Sequence, residues 1–108
     1  MPSFKPGEVW QVDLGYTAKV RPCLLLSRYP ADDELALVVG VPHTTAVRGN
    51  RWEFRTTAPF LKDGAFHLQQ IQPVSLPRLI HRPGDVSTSD LAALRSKLVF
   101  ELELGGIR

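Results

Sequence analysis

Proline and glycine punctuate this chain from end to end, with 9 prolines and 8 glycines in 108 residues. Proline removes a backbone donor, and glycine weakens the interior of a helix or strand, so the apolar runs between them are short. No repeat, linker or low-complexity segment interrupts that spacing. Such punctuation predicts short strands joined by turns, as in a small all-β barrel. The length suits one compact domain with one core and is too short for two, so 1–108 reads as a single domain.

The local patterns agree. Gly7 closes an N-terminal turn. Val9–Leu14 then alternates, with Trp10, Val12 and Leu14 on one face and Gln11 and Asp13 on the other. Gly15–Val20 reads as a loop, Cys23–Ser27 as a fully apolar strand, and Tyr29–Glu34 as a turn carrying Asp32, Asp33 and Glu34. Leu35–Val41 is a further strand. His43–Arg51 is a polar, basic loop with a tight turn at Gly49-Asn50. Trp52–Thr56 and Ala65–Val74 are strands separated by a turn at Leu61–Gly64. In the second of them, His67 and Gln69 share a face opposite Gln70. His81 and Arg82 read as a surface loop. Ser87 and Asp90 resemble a capping box, opening a helix marked by Leu91, Leu94 and Leu98. The alternation of Phe100, Leu102 and Leu104 with Glu101 and Glu103 fits a last strand or a continuation of the helix, and the strand is the favoured reading. Five or six short strands and a late helix predict a mainly β fold: a small, strongly bent, barrel-like antiparallel sheet with a C-terminal helix.

Several classes of protein are excluded. No apolar run approaches the roughly 20 residues that span a bilayer, and the N-terminus has no apolar stretch like that of a signal peptide. One cysteine makes no internal disulfide, so a reducing, cytoplasmic setting is expected. Cys23 in its apolar run reads as an inert core thiol, and Trp10, Trp52 and Phe54 read as core. The three histidines are isolated, without the spacing of a zinc motif, and there is no glycine-rich phosphate loop and no Gly-x-Ser-x-Gly elbow. No metal and no cofactor are expected.

The formal net charge of +2 does not by itself mark a nucleic-acid binder. Its excess sits in residues 43–67, which carry 4 basic and 2 acidic side chains and two of the histidines. Three segments carry chemistry. In Lys19-Val20-Arg21-Pro22 a guanidinium is held at the mouth of a strand, which suits bidentate phosphate binding and equally describes an ordinary solvated arginine. In His43-Thr44-Thr45, followed by Arg48, Arg51 and Arg55, an imidazole, hydroxyls and guanidiniums suit a phosphodiester, or make a polar hairpin loop. In His67-Leu68-Gln69-Gln70 the amides can read a base edge, or form a polar strand face.

Four pieces, in order, resemble the MazF/PemK-like toxins of bacterial toxin–antitoxin systems. They are Gly7-Glu8-Val9-Trp10-Gln11-Val12-Asp13-Leu14, Arg21-Pro22-Cys23-Leu24-Leu25-Leu26-Ser27, Val41-Pro42-His43-Thr44-Thr45 and Gln69-Gln70-Ile71-Gln72-Pro73-Val74. Arg78-Leu79-Ile80 and the leucine-spaced helix complete the pattern. The resemblance implies an SH3-like β fold, usually a homodimer, and a metal-free ribonuclease that cuts single-stranded RNA within short sequences. It also implies a cognate antitoxin whose extended C-terminal segment occupies the RNA groove. The family's catalytic arginine falls on Arg21 and its catalytic threonine on Thr44, with Thr45 adjacent; its glutamine falls on Gln70.

The chain departs from the family pattern in three places. Gly15–Val20 is short and lacks an acidic residue before Arg21, Gln69 stands where many members have Asp or Glu, and His43 replaces an apolar residue. His43 and His67 are therefore the expected substitutes for the missing base. On this reading the 2′-OH attacks its own phosphate, leaving a 2′,3′-cyclic phosphate and a 5′-OH. Arg21 and Thr44 stabilise the phosphorane, Lys19, Arg48 and Arg51 hold flanking phosphates, and Gln69 and Gln70 contact RNA. The alternative is a non-catalytic module on the same fold, binding nucleic acid or a protein target such as a topoisomerase.

Overall fold

The computed structural model describes residues 3–15 and 19–105. Seven strands and one helix follow one another as β1 (Glu8–Asp13), β2 (Val20–Leu25), β3 (Leu37–Thr44), β4 (Glu53–Phe54), β5 (Ala65–His67), β6 (Gln72–Ser75), β7 (Leu79–Asp85) and α1 (Thr88–Glu101). All pairings are antiparallel, in the order β4-β5-β3-β2-β1-β7, with β6 also on β3. The expected mainly β sheet with a C-terminal helix is therefore what forms. Of the expected loop 15–20, residues 16–18 lie outside the described residues.

The sheet is buried on both faces, which is why the run from Cys23 is apolar without alternation. Trp10, Val12, Cys23, Leu25 and Val38 pack in one cluster, while Val9, Leu24, Val41, Phe66 and Leu68 pack in the other under Leu94 and Leu98 of α1. Trp52 and Phe54, expected in the core, are half-buried and lean on the second cluster. Gly7, at φ +98°, ties the elements together: its N–H donates to Leu25 O (2.8 Å) and its carbonyl accepts from Val86 N (2.9 Å).

β3 organises the site. On one side it pairs with β2; on the other it pairs first with β6 over Leu37–Gly40 and then with β5 over His43–Thr44. Pro42 falls in the gap between these two partners, so the donor it lacks leaves no ladder broken there. β3 thus runs on through His43 and Thr44, which the sequence had suggested as the start of a loop.

Three other expectations are corrected. Ala65–Val74 is not one strand: a 3-10 turn at Leu68–Gln70 divides it, because Leu68 turns into the second cluster with its N–H on Trp52 O (2.7 Å). His81 and Arg82 lie on strand β7, paired with β1, and their polar side chains are those of an exposed edge rather than of a loop. The tail is helix and not strand as far as Glu101. Phe100, Leu102 and Leu104 are 76%, 39% and 65% exposed, so their alternation marks no buried face. At the other end of α1 the expected cap is present, with Ser87 Oγ accepting from Asp90 N at 3.0 Å.

Candidate functional site

Cys23 and Pro42 pair across β2 and β3. Arg21 and Thr44 each stand two residues beyond that pair in the same direction, so strand periodicity brings both to one face at one end of the sheet. There they line a groove of about 450 Å³ with His43, Arg48, His67 and Gln70. No carboxylate is among its lining residues. Among the described residues no carboxylate pairs with the exposed Arg21. The Thr44 hydroxyl accepts from Ala46 N (3.0 Å), which fixes the oxygen and leaves its proton free to donate.

His43 is 6% exposed and meets the ring of Phe66 edge-on at 5.1 Å. Burial pushes its pKa below the ordinary histidine value of 6.5, so near pH 7 it is neutral and able to accept a proton. Gly64 makes room for it: a Cβ there would stand 2.8 Å from His43 Cε1 and would collide with the Thr44 carbonyl.

His67 faces Glu53 across the β4–β5 pair. Among the described residues its Nδ1 finds no hydrogen-bond partner although it is buried, a rare state in folded proteins. The Glu53 carboxylate accepts from the backbone N–H of Arg48 (2.6 Å) and Gly49 (2.7 Å). These bonds, the Arg48 one foremost, hold its pKa below the usual carboxylate value, with the charge of His67 adding to the effect. Glu53 thereby clamps the loop that brings Arg48 over the groove.

The structure gathers six of the residues singled out from sequence: Arg21, His43, Thr44, Arg48, His67 and Gln70. His67 and Gln70 were expected on opposite faces, and the 3-10 turn puts them in one groove instead. Thr45 lines an adjoining depression that also touches Arg21 and His43. Lys19 sits exposed just before β2, at φ 63°, its carbonyl accepting from Leu14 N. Gln69 is exposed and outside the groove lining. Arg51 points elsewhere, pairing with Glu101 of α1 (3.1 Å) and lying over Trp52.

Sequence reasoning missed three contributors. Gln72 lines the groove, its Nε2 donating to Gln70 O at 3.1 Å. Glu53 acts within its own loop, its carboxylate reaching back to the Arg48 and Gly49 amides, and Gly64 acts across strands, against His43 and Thr44. Cys23 is fully buried, and burial pushes its thiol up to about 12, with nearby Arg21 acting in the other direction. Among the described residues no group of three His, Cys, Asp or Glu is placed to hold a metal ion. None of their helices is long and apolar enough to cross a membrane.

An antiparallel sheet thus opens at one end onto a groove lined by Arg21, Arg48 and two histidines and by no carboxylate. The model of the PemK-like, MazF-like toxins of type II toxin–antitoxin systems matches residues 5–101, and the chain belongs to that family. Solved structures share the fold. A chain of the MazE–MazF complex from Deinococcus radiodurans is 20% identical with a TM-score of 0.78, covering 94% of this chain and 97% of that one. An endoribonuclease in complex with its cognate antitoxin, from a mycobacterial species, is 23% identical with a TM-score of 0.80, covering 97% and 100%. A further mycobacterial endoribonuclease is 21% identical with a TM-score of 0.78, covering 99% and 98%. No curated protein matches the sequence.

Proposed function

We propose that this toxin-family protein is an endoribonuclease that cleaves single-stranded RNA without a metal. The observation that supports it most is the convergence of Arg21, Thr44, His43 and His67 on one groove with no lining carboxylate. The 2′-OH oxygen attacks the adjacent phosphorus and its proton passes to neutral His43. The bond from phosphorus to the 5′ oxygen breaks, and that oxygen takes a proton from His67. Charge gathers on the non-bridging oxygens in between. Arg21, charged at any working pH, and the Thr44 hydroxyl meet it there, a kind of stabilisation worth about 3–4 kcal/mol per well-placed donor. Arg48 and Lys19 hold flanking phosphates, and Thr45 and the amides of Gln69 and Gln70 contact the RNA. Arg51, engaged by Glu101, is left out of this set.

The same groove suits the partner that the family implies. An extended antitoxin segment lying in it would displace RNA, and the working form would be a homodimer. The test is incubation of the purified protein with a long single-stranded RNA in EDTA. Discrete cuts that disappear in Arg21→Ala support the reading. Tight RNA binding with no cuts across many sequences would select a non-catalytic binding module instead.

A further inference from the structure

A second depression, of about 330 Å³, meets the groove along a shared wall made by Arg21 and His43. Its chemistry differs from the first. Besides the shared His43 imidazole and the amide of Gln11, it is lined by Phe60 and Lys62, which the groove lacks, with Thr45 beside them.

Phe60 is held as a wall. A Cβ at Gly84 would stand 2.5 Å from Phe60 Cε1 and 2.8 Å from Cδ1, so one edge of the ring fills the place of the side chain that Gly84 lacks. The ring is only half-buried, which leaves part of it toward the depression. Lys62 is exposed, and its acidic neighbour Asp63 is taken by Arg55 at 3.3 Å. Among the described residues no carboxylate pairs with Lys62. An aromatic face beside an uncompensated cation is the combination that binds one unit of a single strand, base on ring and phosphate on ammonium.

We propose that this depression is a second nucleotide subsite. It takes the ribonucleotide on the opposite side of the scissile phosphate from the unit held by His67 and Gln70. The proposal rests on the ribonuclease reading above. With the phosphate to be cut at Arg21, a chain crossing the shared wall enters one depression as it leaves the other. One subsite then reads a base through amides, and the second accepts a base by stacking.

The test uses the full chain with Phe60→Leu and Lys62→Met. Leucine keeps the apolar contact with Gly84 and removes the π face; methionine keeps the stem and removes the charge. Two readouts are taken: mapped cut sites on a long transcript, and binding of a single-stranded RNA whose cleaved residue is 2′-deoxy. Lys62→Met should reduce the slope of log Kd against log salt by about 0.7. Phe60→Leu should weaken binding on the order of tenfold and broaden the base frequencies on one side of the cut. Gln70→Ala should broaden them on the other side. Wild-type slopes and base frequencies in both variants, with cutting still abolished by Arg21→Ala, would overturn the subsite and leave the ribonuclease standing. A wild-type protein that cuts no RNA would overturn both.

Discussion

Gly64 lies against His43 so closely that a single added methyl would stand 2.8 Å from the imidazole Cε1. The same methyl meets the carbonyl of Thr44, so one small change presses on two of the groove's working residues. Backbone cannot swing aside as the tip of a long side chain can. Gly64→Ala should therefore cost about 1–3 kcal/mol of stability by overpacking. It should also lower kcat/KM by at least about tenfold, the scale expected when reacting groups are displaced. Urea denaturation and RNA-cleavage kinetics on the same preparation check both effects.

Two arginines of one loop should behave differently. Arg48 lines the groove, while Arg51 pairs with Glu101 and lies 5.8 Å from the Trp52 ring centroid. Arg48→Ala should weaken RNA binding and reduce its salt dependence. Arg51→Ala should leave RNA affinity at the wild-type level and cost about 1 kcal/mol of stability or less. Glu53→Gln weakens the clamp on the Arg48 and Gly49 amides, so it should share the Arg48→Ala phenotype without touching RNA itself. Fluorescence anisotropy over a salt series should separate Arg51→Ala from the other two variants.

If His43 is the general base, its burial should set the acid limb of the pH profile. A general base works only when deprotonated, and this pKa is lowered from 6.5 by desolvation. The base remains competent as the pH falls through 6.5, and activity is lost only below that, as the pH passes the depressed value. Stability tilts the same way: below pH 6.5 the unfolded chain takes up a proton that folded His43 refuses, so stability drops as pH falls. His43→Gln should remove the limb from log(kcat/KM) against pH, together with most of the activity.

Cys23 should be silent toward alkylation in the native state. With its pKa raised to about 12 and no exposed surface, it combines two barriers to attack. Near pH 8 only about one thiol in ten thousand would be ionised even if reagent reached it. Iodoacetamide labelling should therefore follow global unfolding in denaturant. Rapid labelling of native protein would contradict the packing described here.

Local patterns were legible where one physical cause dominated. Alternation around Trp10 and Val12 marked a strand because one cluster takes every second side chain. Ser87 marked a helix start because its hydroxyl caps a nearby N–H. Pattern failed where tertiary contact decided. Nothing in Ala65–Val74 announces a 3-10 turn, since it is the burial of Leu68 that bends the chain. The alternating tail imitates a strand, yet Leu98 draws it into the helix while Phe100 faces solvent. Arg21, His43, Thr44 and His67, each singled out in the sequence, line one groove. Of its supports, Glu53 clamps amides of its own loop, while Gly64 emerges only when β3 and β5 are laid side by side.

The central claim is that Arg21, Thr44 and the groove's imidazoles carry out a metal-free transfer of phosphate from the 5′ oxygen to the neighbouring 2′ oxygen. Mass spectrometry of the fragments from a defined single-stranded RNA, cut in EDTA, tests it most directly. The expected products are a 2′,3′-cyclic phosphate on the upstream fragment and a 5′-OH on the downstream one, both lost in Arg21→Ala. A 5′-phosphate on the downstream fragment, or wild-type cleavage by Arg21→Ala, would contradict it.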